Sequence, residues 1–522
     1  MILHYFLHGS IAACGVAAML AADRRKPRQG TTLEDSAASC NHTGDGAPDQ
    51  VWKTMARSQM KTAKTATDMR PMKHTAAPET PDGSHYRARR ERLLQTIRET
   101  HGGGLVLMPT APELFRNRDT LYPYRPESYF YYLSGFPEPE AVLALSCDRA
   151  GETRHLLFCR EKNPERETWD GFRFGPETAR ELFAFDEAFP ISALKEQWPT
   201  LAMNQPTLFT PLGLYPDWDR IVTQWLGSLR AQARAGNAPP ACIVDVRDAL
   251  DPMRMRKDEH EIALMRHAAT ISAQAHIRAM RFARPGHFEY QIEAELLHKF
   301  LTHGAQAAYP SIVASAENAC VLHYVGNHRR IDAGDLLLID AGCEYQNYAA
   351  DITRTFPVGC RFSAAQKDLY ELVLAAQRAC FDALKPGAPF HAFHDAAERV
   401  LAQGMIDLKL IEGPLDTALE TGSFKRFYMH RAGHWLGLDV HDAGHYRRGE
   451  QGEAPTLLEP GMTLTVEPGC YIRAAEDIPA AFHNIGVRIE DDVLITKDGI
   501  DILTDTAPKS VAEVEDLCAS LL

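Results

Sequence analysis

The sequence predicts a mixed α/β (α+β) protein with two folded domains, and three observations support this fold class. Short apolar segments typical of strands alternate with helical segments over residues 85–250. A long amphipathic segment follows Met255, and its apolar residues recur at helical spacing. The remainder, within residues 251–522, is rich in strand-like runs that carry acidic residues and histidines. The 522 residues suffice for two domains with large cores.

Composition and charge exclude several classes of protein. The chain is 45% hydrophobic and 24% charged, as is usual for a soluble globular protein. Its net charge of −13 argues against non-specific binding of nucleic acid. The eleven cysteines include no CxxC pair, so neither a zinc ribbon nor a disulfide scaffold is indicated. Free thiols in a reducing cytoplasm are the simplest explanation.

Residues 1–84 differ from the rest of the chain. Residues 1–22 are apolar and the basic "DRRKPR" follows them, which is the wrong order for a signal peptide but suits a membrane anchor. Residues 23–84 have the composition of a disordered segment. A third interpretation is a true start at Met69 or Met72, which makes the preceding residues a mis-assigned extension of a cytoplasmic protein.

The first folded domain, residues 85–250, contains five strand candidates. They are "GLVLMP", "AVLALSC", "HLLFCR", "TLFTP" and "ACIVDV". The aromatic-rich stretch that begins at Tyr122 is predicted to pack in the core. In the second domain, "KDEHEIALMRHAATISAQAHIRAMRFA" predicts a helix that ends before Pro285 and Gly286, and "FEYQIEAELLHKFLTHG" predicts another that stops at Gly304.

Two aspartates interrupt apolar strands in "LLLIDAGCEYQNYAADITRTF", residues 336–356. A two-residue turn at Tyr345 and Gln346 would place Asp340 directly opposite Asp351, on the same face of a hairpin. Two buried carboxylates at that distance repel each other. A shared proton, a different register in this glycine-free turn, or bound cations between them would each relieve the repulsion.

Histidines cluster in "MHRAGHWLGLDVHD", which carries His430, His434 and His441. Gly433 and Gly437 disfavour a regular helix there, and the absence of an HExxH motif argues against a zincin helix. Each histidine alone could be a core residue with satisfied hydrogen bonds.

Two further strand-like segments carry charged residues. Glu467 stands in "LTVEPGCYI", and Arg488 and Glu490 share one face of "GVRIEDDVLI". Taken singly, Glu467 could cap a turn, and Arg488 and Glu490 could form a surface ion pair. Together with the histidines and aspartates, they provide a set of candidate metal ligands.

The order of these residues resembles the metal-ligand pattern of the pita-bread metallopeptidases, and in particular bacterial aminopeptidase P. The motifs "AENACVLHY", "MHRAGHWLGLDVHD", "LEPGMTLTVEPGCYI", "YPYR" and "SGFPEPEAVL" are all similar to that family. The resemblance implies an N-terminal aminopeptidase P domain over residues 85–250 and a catalytic pita-bread domain over residues 251–522. Residues 445–456 fit the family less well, which leaves the roles of Arg447 and Arg448 open.

The resemblance also implies a role for each site residue. Asp351 and Glu490 would bridge two metal ions, with the other ligands divided between them. The implied metal ligands are Asp340, Asp351, His434, Glu467 and Glu490. The implied catalytic residues are His323, His441 and Glu467, and the implied substrate-binding residues are His323, His430, His441, Tyr471 and Arg488.

The chemistry of the donors agrees with two metal ions. Four carboxylates and one imidazole suit Mn²⁺, Co²⁺ or Fe²⁺, although Zn²⁺ accepts the same ligands, and the resemblance favours Mn²⁺. Two divalent ions would balance the charge of the four carboxylates. A water molecule bridging the ions would become the nucleophile by losing a proton.

The expected function is that of an Xaa-Pro aminopeptidase, which releases the residue preceding a proline at the second position. A prolidase, which cleaves Xaa-Pro dipeptides, has the same fold and ligands and is the alternative. A non-catalytic pita-bread binding protein is a remote alternative, since such proteins usually lose metal ligands. The expected partners are peptides with an N-terminal Xaa-Pro sequence, without nucleic acid, and by resemblance the enzyme is a homo-oligomer, either dimer or tetramer.

Overall fold

The computed structural model describes residues 77–78, 82–232, 238–449 and 452–520. The apolar segment of residues 1–22 and most of the predicted leader lie outside the described residues. The described residues belong to one compact unit, Thr75–Leu522. Within these ranges, no helix is both long enough and apolar enough to cross a membrane.

A six-stranded mixed sheet organises the first part of the described chain. Its elements are α1 (Gly83–His101), β1 (Gly104–Pro109), β2 (Phe115–Asn117), β3 (Thr120–Leu121), α2 (Ser128–Ser134), β4 (Val142–Cys147), β5 (Thr153–Cys159), α3 (Pro164–Asp170), α4 (Gly175–Leu182), β6 (Glu187–Pro190), α5 (Leu194–Ala202), β7 (Thr207–Thr210), α6 (Pro216–Ala231) and β8 (Cys242–Asp245). The strand order is β6-β5-β4-β1-β7-β8. Strand β1 runs antiparallel to β4 and parallel to β7.

The five predicted strands of this sheet are confirmed as β1, β4, β5, β7 and β8. Every residue of β1 is buried, which explains its continuous apolar sequence. The aromatic-rich stretch is largely core as expected, because Phe130, Tyr132 and Phe136 have 0% exposure. Tyr122 at its beginning is 53% exposed and is the exception.

The second part consists of helices around several short sheets. Its elements are α7 (Arg247–Met255), α8 (Glu259–Phe282), α9 (Glu289–Leu301), β9 (Gln306–Ala307), β10 (Ile312–Ser315), β11 (Leu336–Asp340), β12 (Cys343–Tyr345), β13 (Tyr348–Ala349), β14 (Thr353–Pro357), α10 (Ala364–Ala383), α11 (Ala392–Asp407), α12 (Leu415–Thr421), β15 (Arg447–Arg448), β16 (Ala454–Pro455), β17 (Thr463–Val466), β18 (Gly469–Ile472), β19 (Ile485–Arg488), β20 (Asp491–Ile495), β21 (Ile500–Ile502) and α13 (Val511–Ala519). The larger sheets have the orders β10-β11-β14, β13-β12-β9 and β17-β20-β21.

Both predicted helices of this part are present as α8 and α9. A capping box starts α8, in which the Asp258 side chain accepts a hydrogen bond from the Glu261 backbone and the Glu261 side chain accepts one from the Asp258 backbone. The helix ends before Pro285, which cannot continue the helical hydrogen bonds.

The register expected for the acidic hairpin is wrong by two residues. The turn lies at Gln346 and Asn347, so that Tyr345 pairs with Tyr348, and Asp340 pairs with Thr353 rather than with Asp351. Gln346 and Asn347 have φ angles of 48° and 66°, as a two-residue hairpin turn requires. Asparagine tolerates this left-handed conformation better than tyrosine does. Because the shift is even, Asp340 and Asp351 still face the same side, as diagonal neighbours.

The two parts of the chain share one apolar core. Leu93 and Val106 from the first part belong to the same cluster of buried residues as Met265 and Leu337 from the second. The predicted boundary after residue 250 falls inside α7 and stays a prediction.

A polar contact made by Arg125 also joins the two parts. The Arg125 guanidinium donates to the Glu344 carboxylate on β12, with an Nε–Oε2 distance of 2.8 Å, and to the Leu438 carbonyl. The first domain is therefore tied to the acidic hairpin and to the histidine-bearing loop, which together form the site described next.

Candidate active site

A cavity of about 1070 Å³ opens in the second part of the chain, and it collects nearly all of the predicted site residues. Nine of the ten line it: His323, Asp340, Asp351, His430, His434, His441, Glu467, Arg488 and Glu490. The tenth, Tyr471, lies directly behind this lining and is 2% exposed. Residues separated by up to 167 positions in the sequence thus meet in one site.

Three strands bring the carboxylates to one wall of the cavity. Asp340 ends β11, Asp351 lies just before β14, and Glu490 lies between β19 and β20. The Glu490 backbone N–H donates to the Thr353 carbonyl at 3.0 Å, and the Thr353 hydroxyl donates to Glu490 Oε2 at 2.6 Å. Strand pairing and this side-chain contact therefore fix Glu490 beside the two aspartates.

The histidine-bearing loop also lines the cavity and is not helical, as its glycines predicted. A Cβ atom at Gly433 would overlap the Thr465 carbonyl oxygen, so that only glycine allows the loop to approach β17. His434 then exchanges hydrogen bonds with Thr465: its N–H donates to the hydroxyl at 3.1 Å, and its carbonyl accepts from the Thr465 N–H at 2.9 Å. These contacts place His434 beside Glu467.

His434 presents Nε2 to the carboxylates. Its Nδ1 lies 2.9 Å from the Trp435 carbonyl, which assigns the ring proton to Nδ1. Nε2 lies 3.6 Å from Asp351 Oδ2 and 3.8 Å from Glu467 Oε1. Burial lowers the pKa of His434 to about 4, which keeps the ring neutral and able to bind a metal.

Three of the predicted ligands already have the proximity of a metal site. One ligand atom each from Asp351, His434 and Glu490 lies within 4.8 Å of the others. Carboxylate oxygens and a neutral imidazole are donors that divalent first-row metals accept. This group is a possible metal-binding site.

The electrostatics of the acidic wall also call for a cation. Burial, followed by the repulsion of Asp340, raises the pKa of Asp351 well above its usual range. Burial and the charge of Asp351 have the same effect on Glu490. Burial raises the pKa of Glu467 to about 8, although the nearby Arg488 opposes this shift. Without added positive charge these groups cannot all ionise at neutral pH, so the residues present fit a metal centre.

Arg488 organises the wall rather than facing open solvent. It is 4% exposed, and its guanidinium binds Asp340 Oδ2 at 2.6 Å and Thr353 Oγ1 at 3.0 Å. It also donates to the Tyr471 hydroxyl at 3.1 Å, and that hydroxyl lies 2.8 Å from His430 Nε2. Tyr471 thus connects the acidic wall to His430.

The remaining histidines differ in environment. The rings of His441 and His434 are edge-to-face with centroids 4.3 Å apart. His323 is exposed and projects from the segment that follows β10. Burial lowers the pKa of His430 to about 4, and its Nδ1 lies 2.7 Å from the Arg431 carbonyl.

Sequence reasoning missed three residues that contact the predicted ligands. The Tyr309 hydroxyl hydrogen-bonds Asp351 and lies 2.7 Å from Asp340 Oδ1. The Asp492 carboxylate accepts the Asp351 backbone N–H at 3.0 Å. For Thr353, the alternation of its strand was a usable signal, since it lies two residues after Asp351 on the same face. The same alternation applies to Asp492, which lies two residues after Glu490, whereas no spacing in the sequence points to Tyr309.

The two arginines with open roles lie at the edge of the site. Arg447 lines the catalytic cavity and donates from Nη2 to the Glu453 carbonyl at 3.2 Å. Arg448 pairs with Glu459 at 2.9 Å and lines an adjacent cavity of about 470 Å³, to which Arg447 also contributes. Arg447 is therefore the one of the pair that reaches the site.

Comparisons with known proteins agree with this geometry. Residues 263–497 match the metallopeptidase family M24, and residues 86–209 match the aminopeptidase P N-terminal domain. The Xaa-Pro aminopeptidase of Haemophilus influenzae is 41% identical over 428 residues, which are 82% of this chain and 96% of that protein.

Solved structures extend the similarity to the fold. Aminopeptidase PepP of Pseudomonas aeruginosa is 48% identical with a TM-score of 0.81, over 85% of this chain and 99% of that one. A variant of Escherichia coli aminopeptidase P solved with substrate is 38% identical with a TM-score of 0.80, over the same shares of 85% and 99%. The predicted mixed α/β architecture with a C-terminal pita-bread domain is confirmed, and the chain belongs to metallopeptidase family M24 as an aminopeptidase P.

Proposed function

We propose that this protein is an Xaa-Pro aminopeptidase that hydrolyses the bond before a proline at the second position of a peptide. The observation that carries the proposal is the cavity in which a buried acidic cluster, the neutral imidazole of His434 and four further histidines meet. This chain matches two relatives named Xaa-Pro aminopeptidase over nearly their whole length, which supports the same activity here.

The proposed cofactor is a pair of divalent ions, with Mn²⁺ as the metal favoured by resemblance. We assign the ligands as Asp340, Asp351, His434, Glu467 and Glu490. The support is electrostatic, because two divalent ions would balance the charge of the four carboxylates, and without them burial and repulsion raise the pKa of Asp351 and Glu490. When bound, such ions acidify a water molecule and polarise the scissile carbonyl.

We assign Glu467 as the group that accepts the proton of the attacking water. Its Oε1 lies 3.8 Å from His434 Nε2, and its Oε2 lies 3.9 Å from His430 Nδ1, so that the carboxylate lies within 4 Å of two histidines of the loop. A carboxylate that is ionised to bind metal can accept a proton and pass it on.

The remaining residues are assigned to the substrate. An Xaa-Pro bond has no N–H to recognise and a fixed φ near −65°, so that the site must hold the ring by shape and supply polar groups to its carbonyls and to the leaving nitrogen. We assign these contacts to His323, His430 and His441. Tyr471 and Arg488 hold His430 and Asp340 in place through the hydrogen bonds described above.

The test is a pair of tripeptides that differ only at the second residue, proline or alanine. We expect kcat/KM to be at least about 100-fold higher for the proline peptide, because the pocket that fits the ring leaves alanine unsupported. Comparable values would contradict the proposal. Hydrolysis confined to the Xaa-Pro dipeptide would instead support the prolidase alternative.

Two further properties stay predictions from the sequence. They are a homo-oligomeric state and a cytoplasmic location. The alternative of a non-catalytic binding protein has no support, since all five proposed ligands are present in the chain.

A further inference from the structure

A buried carboxylate outside the cavity faces the segment that carries His323. Glu289 is the first residue of α9, and its exposure is 0%. Negative charge is favourable at this end of a helix. The segment of residues 316–328 leaves the end of β10, passes Glu289 and supplies His323 to the cavity wall.

Glu289 accepts five hydrogen bonds, all from this segment and the residues that flank it. Oε1 accepts from the Ser315 N–H at 2.8 Å, from the Ser315 hydroxyl at 2.7 Å and from Asn318 Nδ2 at 3.1 Å. Oε2 accepts from the Tyr324 hydroxyl at 2.8 Å and from the Arg329 N–H at 2.9 Å. The donors lie at the start of the segment, next to His323, and at its end.

The segment has little other support near His323. Val321 is 41% exposed and Val325 is 54% exposed, so the side chains two positions away on either side do not pack in the core. Leu322 and Tyr324 are only partly buried against a small cluster that includes Tyr471. Between buried Cys320 and buried Asn327 apolar packing is thin, so the hydrogen bonds to Glu289 constrain the path of the chain there.

We propose that Glu289 is a positioning residue that holds residues 316–328 so that His323 faces the metal cavity. This inference rests on the substrate role given to His323 in the proposed function. Glutamine at position 289 would keep the shape of the side chain. Its NH₂ group would replace one of the two accepting oxygens, and the donors that faced that oxygen would lose their hydrogen bonds. The segment would then sample other positions, while the metal ligands would be untouched.

The experiment is a double-mutant cycle with Glu289→Gln, His323→Ala and the combined variant, assayed on an Xaa-Pro tripeptide. We expect Glu289→Gln to lower kcat/KM about 5- to 20-fold with unchanged metal content, as the loss of hydrogen bonds to a buried charge predicts. In the His323→Ala background the same change should cost less than about twofold, because residues that act through one another are not additive. An equal loss in both backgrounds would overturn the proposal and leave Glu289 a merely structural residue.

The control is Glu293→Gln, the same substitution one turn further along α9. Glu293 accepts one hydrogen bond, from Asn327 Nδ2 at 3.0 Å, and Asn327 keeps its bonds to Ser311 and Val313. We expect its kcat/KM to stay within about twofold of the unmodified enzyme. If Glu289→Gln does not fold, Tyr324→Phe removes a single bond to Glu289 and serves in the same cycle, with an expected loss of about threefold.

A second measurement separates this inference from the proposed function. Full activity of His323→Ala would remove the substrate role of His323, and Glu289 would then be judged by hydrogen exchange of residues 316–328. Faster exchange in Glu289→Gln than in Glu293→Gln supports the positioning role. Unchanged exchange overturns it.

Discussion

Two clusters of charged residues in this molecule differ in whether neighbouring cations of the protein balance their carboxylates. Arg254 contacts Asp442 at 2.6 Å and Asp439 at 2.9 Å, and Lys257 contacts Asp442 at 2.9 Å. Two cations thus meet two carboxylates. Burial raises the pKa of Asp442, but the charges of Lys257 and Arg254 outweigh burial and hold this pKa below its usual range.

The acidic wall of the cavity is the opposite case. Its four carboxylates have one guanidinium, Arg488, in direct contact, at Asp340. Burial and repulsion raise the pKa of Asp351 and Glu490 there. A balanced cluster is complete as folded and serves stability, whereas an unbalanced one is completed by what it binds.

Asp351→Asn should have the largest effect, and on catalysis rather than on stability. The amide keeps the shape but removes an anion from the proposed metal site. Loss of a general acid or base costs about 10²–10⁴-fold, and loss of a metal should exceed that. The measurement is kcat/KM with metal content. Near-normal turnover with full metal content would show that Asp351 is not a ligand, and His441→Ala gives the smaller loss for comparison.

Asp442→Asn should have its main effect on stability. Removing this carboxylate leaves Lys257 buried without a charged partner and Arg254 with Asp439 alone, which costs about 3–5 kcal/mol. Urea unfolding of the metal-loaded protein measures the change. Asp477→Asn is the matched control, since its ion pair with Arg426 is exposed and should leave the midpoint almost unchanged. A midpoint for Asp442→Asn equal to that of the control would contradict the balanced-cluster interpretation.

The pH dependence of stability should change sign when metal is removed. In the metal-free protein, burial raises the pKa of Glu467 to about 8. Between the usual pKa of a glutamate and about pH 8, the folded state therefore holds a proton that the unfolded state has lost. This stabilisation is present at low pH and is lost as the pH rises through that window, by up to about 1.4 kcal/mol per pH unit for each such group. Asp351 and Glu490 act in the same direction.

In the metal-loaded protein the carboxylates must be ionised to bind, so that rising pH strengthens binding and stability. The measurement is Tm from pH 5 to 8, with and without an excess of chelator. Parallel curves would show that the acidic wall does not couple to a metal. Each group contributes only between its unfolded and its folded pKa.

The sequence was sufficient for five strands of the first domain, for α8 and α9, and for nine of the residues that line the cavity. These features depend on local periodicity or on motifs. The hairpin register failed because it depends on which residues accept positive φ, and Asn347 was a stronger signal than the polarity of the turn. Tyr309 and Glu289 were not found because their partners come from other parts of the sequence, and Tyr471 was expected in the wall but stands behind it.

Arg125 limits how relatives of this chain can be recombined. A crossover after β8, between the two matched family segments, keeps every strand intact, yet it can pair the Arg125 of one parent with the hairpin of another. Arg125 and Glu344 are 219 positions apart and form one contact, in which Glu344 is 5% exposed. A chimaera that inherits Glu344 without Arg125 buries a carboxylate without its charged partner, so the two residues have to be inherited together.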